Sequence, residues 1–255
     1  MSVAWKSNAW RGQARLRNTA QYWQKPRNYS NCMIYHYGPA TWFLTLSPAE
    51  WLWSDLIEYL REVNGPSMAK MSPNELIASD PVSTARFIDN KFHAVLDFIC
   101  SPDNPIGKVT HYFWRRKYQS RGLQHFHLLI WIEDAPIIDK SSKEEVAAFI
   151  MKYVTCRLPS PHVSPELYRR LITHQIHKFT ETMTIRDVAV SIGARKQLKA
   201  KGRFYDLPRS IKEVRINDFN PSVLMVWIGN MDIQYIGEKT TRLTVGLCNT
   251  CFSFY

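Results

Sequence analysis

The sequence predicts an α+β domain: a central antiparallel sheet with helices packed on one face. Three observations predict it. Two β-rich segments, 109–118 and 125–132, flank a short polar turn that contains Gly122. The second alternates, with Phe126, Leu128, Ile130 and Ile132 at the even positions and His125 and His127 among the odd ones. Helical stripes opened by Ser-Pro or Asp-Pro pairs surround them. Period two sends both histidines to one face of the strand and the apolar set to the other, so one face of the sheet is core and the His face is open.

Taken in order, residues 1–30 are basic and aromatic (Trp5, Trp10, Tyr22, Trp23) and predict an irregular arm or short helices. Thr41–Ser47 (TWFLTLS) predicts a buried strand. Ser47 as N-cap, Pro48 at N1 and Glu50 three residues on form a capping-box pattern for a helix carrying Trp51, Leu52, Leu56 and Leu60. Gly65, Pro66 and Pro73 mark 64–73 as a loop. Asp80 and Pro81 open a second helix whose Val82, Ala85, Ile88, Phe92, Val95, Leu96 and Ile99 recur at three and four. Residues 101–107 are a turn. The two β-segments then pair as a hairpin that sets residue 117 opposite 125. Ser141-x-x-Glu144 predicts a capped helix through Tyr153, and Ser164-Pro165 another to about Gln175. Residues 184–215 are basic without a clear period, and 220–235 fits helix or strand.

The chain has 33 Lys and Arg against 22 Asp and Glu, a net charge of +11, with 45% hydrophobic and 13% aromatic residues. That excludes wholesale disorder and a long acidic tail. The charge is localised. Residues 1–49 have six cations and no acid, 108–121 have five and no acid, and 195–215 have eight against two acids. Footprints of this kind predict an anionic partner, nucleic acid before membrane. No apolar run approaches the ~20 residues of a membrane helix and no secretory signal opens the chain, so no membrane partner and an intracellular location are expected. The five cysteines (32, 100, 156, 248, 251) suggest no disulfide framework, and Cys248-x-x-Cys251 lacks a second pair, so no zinc is expected.

His125-Phe126-His127 is the sharpest feature. Two histidines at i and i+2 on a strand project the same way and can share one divalent cation. Taken alone, an exposed aromatic pair explains it as well.

In context the chain resembles the N-terminal Rep (Helitron helicase-like) domain of Helitron rolling-circle transposases, in the HUH endonuclease superfamily. The resemblance covers most of 20–244. It is carried by residues 38–47 (GPATWFLTLS), Trp53, Asp80-Pro81-Val82, Arg86-Phe87, Gly107-Lys108 and Tyr112-Phe113-Trp114-Arg115. It continues through Tyr118-Gln119, Arg121-Gly122, His125-Phe126-His127, Trp131, Ala135-Pro136 and residues 230–239 (NMDIQYIGEK). It implies an RRM-like HUH palm over 31–140, preceded by the 1–30 arm. A helical basic extension over 141–244 and a divergent tail over 245–255 follow. It further implies a nuclear protein that binds Mg²⁺ or Mn²⁺ through His125, His127 and a third polar ligand, and a tyrosine that attacks single-stranded DNA to leave a 5′-phosphotyrosine link.

Three departures qualify this. Lys117 stands before Tyr118-Gln119 where the family has an acid. A protonated lysine cannot ligate and repels the ion, which leaves Gln119 or Glu133 as substitutes. Of a His/Cys cluster only His177 matches, with Phe179, Met183 and Gly202 at the other positions, and His174 and His177 alone make a poor zinc site. After Thr244 the paired tyrosines expected of the family do not follow, no catalytic residue is identified, and no Walker motif marks a helicase domain, so a truncated or frameshifted product is expected. The expectation is therefore a Rep-like domain that binds single-stranded DNA, with metal-dependent nicking weakened or lost. The alternatives are a non-enzymatic nucleic-acid-binding module and a degenerate product without function. Arg115, Arg116, Lys117, Arg121, Lys196, Lys199, Lys201 and Arg203 are the candidate phosphate contacts.

Overall fold

A computed structural model of the protein describes residues 20–118, 124–138, 140–176, 207, 210, 213 and 215–237. The elements run α1 (Ala20–Tyr37), β1 (Trp42–Ser47), α2 (Ser54–Asn64), α3 (Pro73–Ser79), α4 (Pro81–Ile99), β2 (Val109–Tyr118) and β3 (Gln124–Ile132). Then come α5 (Lys143–Tyr153), α6 (Pro165–His174), α7 (Pro221–Trp227) and β4 (Asn230–Tyr235). The four strands form one antiparallel sheet in the order β2-β3-β1-β4, so the α+β class is borne out.

Alternation builds the core side. Trp42, Leu44, Leu46, Phe126, Leu128, Ile130, Met231, Ile233 and Tyr235 are buried in one cluster with Leu56, Leu60, Phe92, Val95 and Trp227 from the helices. Phe126 stacks on Phe92 at 3.9 Å between ring centroids and meets Trp227 edge-on at 6.1 Å. Buried indoles find acceptors: Trp42 Nε1 donates to Ile106 O (3.0 Å) and Trp227 Nε1 to Ser47 O (3.1 Å). The Gly107 turn leads into β2 at φ +103°, where a Cβ would lie 2.6 Å from Ile132 Cγ2, so only glycine fits.

Several local expectations hold. Asp80 accepts from Ser83 N at the start of α4, with Pro81 at N1. The hairpin register pairs Lys117 with His125. Others need correction. Ser47 ends β1 and caps nothing; a 3-10 turn at Glu50–Leu52 follows, and α2 starts only at Ser54 with no side-chain cap. The reason is burial: Trp53 must reach the core, which leaves Trp51 and Leu52 exposed. Within the expected 64–73 loop, Ser72 caps α3 through a capping box with Glu75. The capping box of α5 is Ser142 with Glu145, one residue later than expected. The ambiguous 220–235 segment splits into α7 and β4. The left-handed Ile228 (φ +53°) and Gly229 separate them. The sheet therefore draws a strand from beyond residue 140.

Candidate functional site

Antiparallel register fixes which side chains share the face away from the large core. Lys117 pairs with His125, Arg115 with His127, Phe113 with Leu129, and His111 with Trp131. On β1, Thr45 pairs with His127 on one side and Asp232 on the other, Phe43 with Leu129 and Gln234, and Ser47 with Asn230. One row therefore crosses all four strands: Arg115, His127, Thr45, Asp232.

This face is not open throughout, as the alternation alone predicts. Helix α1, which begins inside the stretch expected to be an arm, covers one half. Met33 and Ile34 of the helix form a second, smaller core with Ala40, Phe43, Leu129, Trp131 and Ile236. Trp131 Nε1 donates to Gly38 O at 3.0 Å, just past the helix end, where Gly38 has φ +78°. The other half carries Arg115, Lys117, His125, His127, Thr45, Ser47, Asn230 and Asp232, and among the described residues no helix covers it.

His127 is held firmly. Its Nδ1 is 3.3 Å from Thr45 Oγ1, and its ring stacks on Phe43 with centroids 5.6 Å apart. Burial first, then the charges of Lys117, His125 and Arg115, push its pKa down to about 4. The imidazole is therefore neutral near pH 7. In the tautomer that donates Nδ1–H to Thr45 Oγ1, Nε2 keeps its lone pair for an electrophile. His125 Nδ1 is buried with no hydrogen-bond partner among the described residues. An orphaned polar atom of this kind costs about 1–3 kcal/mol, and a bound group on this face would relieve it.

Asp232 is the residue that sequence reasoning missed. It is the only carboxylate among the described strand residues of this face. It lies two strands, about 10 Å, from His127 across the small Thr45 side chain, and its Oδ2 accepts from Gln234 Nε2 at 2.5 Å. The signal was available: Met231, Ile233 and Tyr235 alternate with Asn230, Asp232 and Gln234. His125, His127 and Asp232 are thus the residues that could hold a divalent cation. Among the described residues no three His, Cys, Asp or Glu side chains are gathered as a ready cluster.

The remaining candidates separate. Arg116 faces the helices instead of the His face, because even positions of β2 point to the core side. It is paired with Asp89, and its guanidinium is 5.7 Å from the Phe126 ring centroid. Glu133 lies past the far end of β3 and is paired with Lys108 at 2.8 Å, which takes it out of reach of the histidines. His174 ends α6, and its carbonyl accepts from Asn230 Nδ2 at 2.7 Å. Burial, then Arg169 and Arg170, lower its pKa. Arg121, Lys196, Lys199, Lys201, Arg203, Gln119, His177, Phe179, Met183, Gly202, Cys248 and Cys251 lie outside the described residues.

Among the described residues no helix is long and apolar enough to cross a membrane. Residues 9–130 match the family model described as Helitron helicase-like domain at N-terminus. The match ends within β3, so it contains the His pair, Arg115 and Lys117, while Asp232 lies beyond it. A comparison with curated proteins finds no match.

Proposed function

We propose, on the premise that residues 9–130 are a Helitron helicase-like N-terminal domain, that this Helitron-derived protein binds single-stranded DNA and cleaves it weakly or not at all. Binding is assigned to the half-face that carries Arg115, Lys117, His125 and His127. The observation that carries the reading is the pairing of each histidine with a cation: Lys117 beside His125 and Arg115 beside His127. Two cations on adjacent same-face positions of a strand that no described helix covers there suit consecutive phosphates of an extended strand.

The same pairing disfavours cutting. The donor types on this face, two imidazoles, one of them neutral, and a carboxylate across Thr45, are those a divalent cation of the Mg²⁺ or Mn²⁺ kind takes, although the described residues are not gathered into a ready cluster. An ion held there would supply polarisation of the scissile phosphate. His127 is oriented for it by Thr45 and Phe43, and Asp232 offsets its charge. Arg115 and Lys117 oppose it. Each places a positive charge in the row beside a histidine, where like charges repel. The phosphate is therefore held by side chains better than it is activated. The family membership also implies a nuclear location, which imaging of the tagged chain would test.

The experiment is fluorescence anisotropy with labelled single-stranded and duplex oligonucleotides over a salt series, with and without Mn²⁺. The expected result is tighter binding of the single strand, weakened by salt with a slope of about −0.7 per phosphate neutralised, and no covalent adduct on a denaturing gel. Binding indifferent to salt would reject the DNA reading. Efficient formation of a 5′ protein–DNA adduct would reject the view that cleavage is weak.

A further inference from the structure

The strand that carries Arg115 and Lys117 continues, on the same face, into Phe113 and His111. There the chemistry changes from cationic to aromatic, and α1 stands beside it. Between α1 and β2 lies a groove of about 400 Å³, lined by Tyr29, Cys32, Met33, His36, Tyr37, Thr110, His111 and Tyr112. The Tyr37 ring stacks on His111 with centroids 3.7 Å apart and 23° between planes. Tyr29 leans on Phe113 at 6.3 Å. Both tyrosines remain half or more exposed, Tyr37 at 51% and Tyr29 at 63%. No carboxylate lines the groove.

We infer that this groove is a nucleobase site: an unpaired base of a single strand stacks against Tyr29 and the Tyr37–His111 pair, while the phosphates on one side of it run along Arg115 and Lys117. This rests on the DNA reading above and deepens it. The physical case has three parts. Flat π faces at the surface take any base, because every base has a π face, and the polar edges of tyrosine and imidazole tolerate its rim. Same-face residues of a strand repeat at about 6.8 Å, so His111 to Lys117 offers about 20 Å of continuous track. The track is cationic at one end and aromatic at the other, with no acid on β2 between them, a charge pattern that suits a polyanion with apolar rings. A purely apolar ligand would leave the flanking cations unused.

The test uses the full chain and a dT oligonucleotide with one 2-aminopurine. Wild type should quench the aminopurine on binding. Tyr37→Leu should lose the quench and weaken Kd by about 5- to 150-fold, as removal of one base–aromatic stack does, with the salt slope unchanged. Tyr37→Phe should restore both. Lys117→Ala should instead lower the salt slope and keep the quench. Because Tyr37 also touches Trp131, the more exposed Tyr29→Ala decides the matter should Tyr37→Leu fail to fold. If Tyr29→Ala and Tyr37→Leu bind and quench like wild type while Lys117→Ala weakens binding, the nucleobase site is wrong and the DNA-binding face stands. If wild type binds no single strand, both fall together.

Discussion

The two faces of the sheet are built from the same strands and alternate residue by residue, yet they do different work. Toward the helices the inward positions of β1, β3 and β4 are buried, and all but Gln124 at the start of β3 are apolar, from Trp42 through Phe126 to Tyr235. On the other face only the half under α1 follows that rule. The remaining half has Arg115, Lys117, His125, His127 and Asp232 in adjoining rows. The difference teaches where stability ends and chemistry begins. A side chain on the core face contributes by leaving water. One on the uncovered half of the His face carries a charge or a ring nitrogen at a position the main core does not need.

The largest effect that would test this contrast is Phe126→Ala. It removes a fully buried ring stacked on Phe92 and should cost about 3–5 kcal/mol in urea denaturation. A loss under about 1 kcal/mol would break the contrast, since values that small belong to surface sites. Replacing both His125 and His127 by Ala should do the converse. The loss of stability should stay well below that of Phe126→Ala, while Mn²⁺ binding by calorimetry disappears. Unchanged Mn²⁺ affinity would remove the metal from this face.

Lys117→Glu sharpens the contrast within the His face. It puts a carboxylate beside His125, so Mn²⁺ affinity should rise by about tenfold, equivalent to ~1.4 kcal/mol. Single-strand affinity should fall together with its salt slope. Gains in both would show that phosphate and metal do not compete for this charge. Asp232→Asn should shift the two affinities the opposite way to Lys117→Glu, by a similar or smaller factor.

A site away from both faces gives the smallest effect. Burial pushes the Glu213 carboxyl up, but backbone N–H groups of Ser210 and Leu158 and the Arg157 guanidinium hold it down at about 2. A depressed carboxyl stabilises the fold above its unfolded pKa near 4.5 and loses that contribution as pH falls toward 2. Glu213→Gln should cost about 1 kcal/mol at pH 7 and flatten the acid limb of stability between pH 4.5 and 2. An unchanged acid limb would show that this carboxylate does not tether the 155–158 segment.

Much of the fold was legible in the sequence wherever the deciding residues are neighbours. The Asp80-Pro81 cap, the α4 stripe and the β2–β3 hairpin with Lys117 opposite His125 all depend on contacts made within a turn or one hairpin. The misjudged starts of α2 and α5 share one cause. In each a local serine pattern offers a cap that the packed chain does not use: burial of Trp53 starts α2 with no side-chain cap, and at α5 the cap falls to Ser142, next to Ser141.

The sequence by itself determined the sheet's two-sidedness, the placing of Lys117 opposite His125, and the resemblance to the Helitron helicase-like domain over residues 9–130, because period two and motif spacing are properties of the chain. Only the tertiary structure decided what surrounds the histidines. It brought β4 beside β1, so that Asp232, about a hundred residues from His127 in sequence, joins the same row. It also laid α1 over Phe43, Leu129 and Trp131, closing half of a face that alternation alone leaves open. Both are long-range contacts, selected by burying apolar surface between distant segments, and no local pattern encodes which segments will meet.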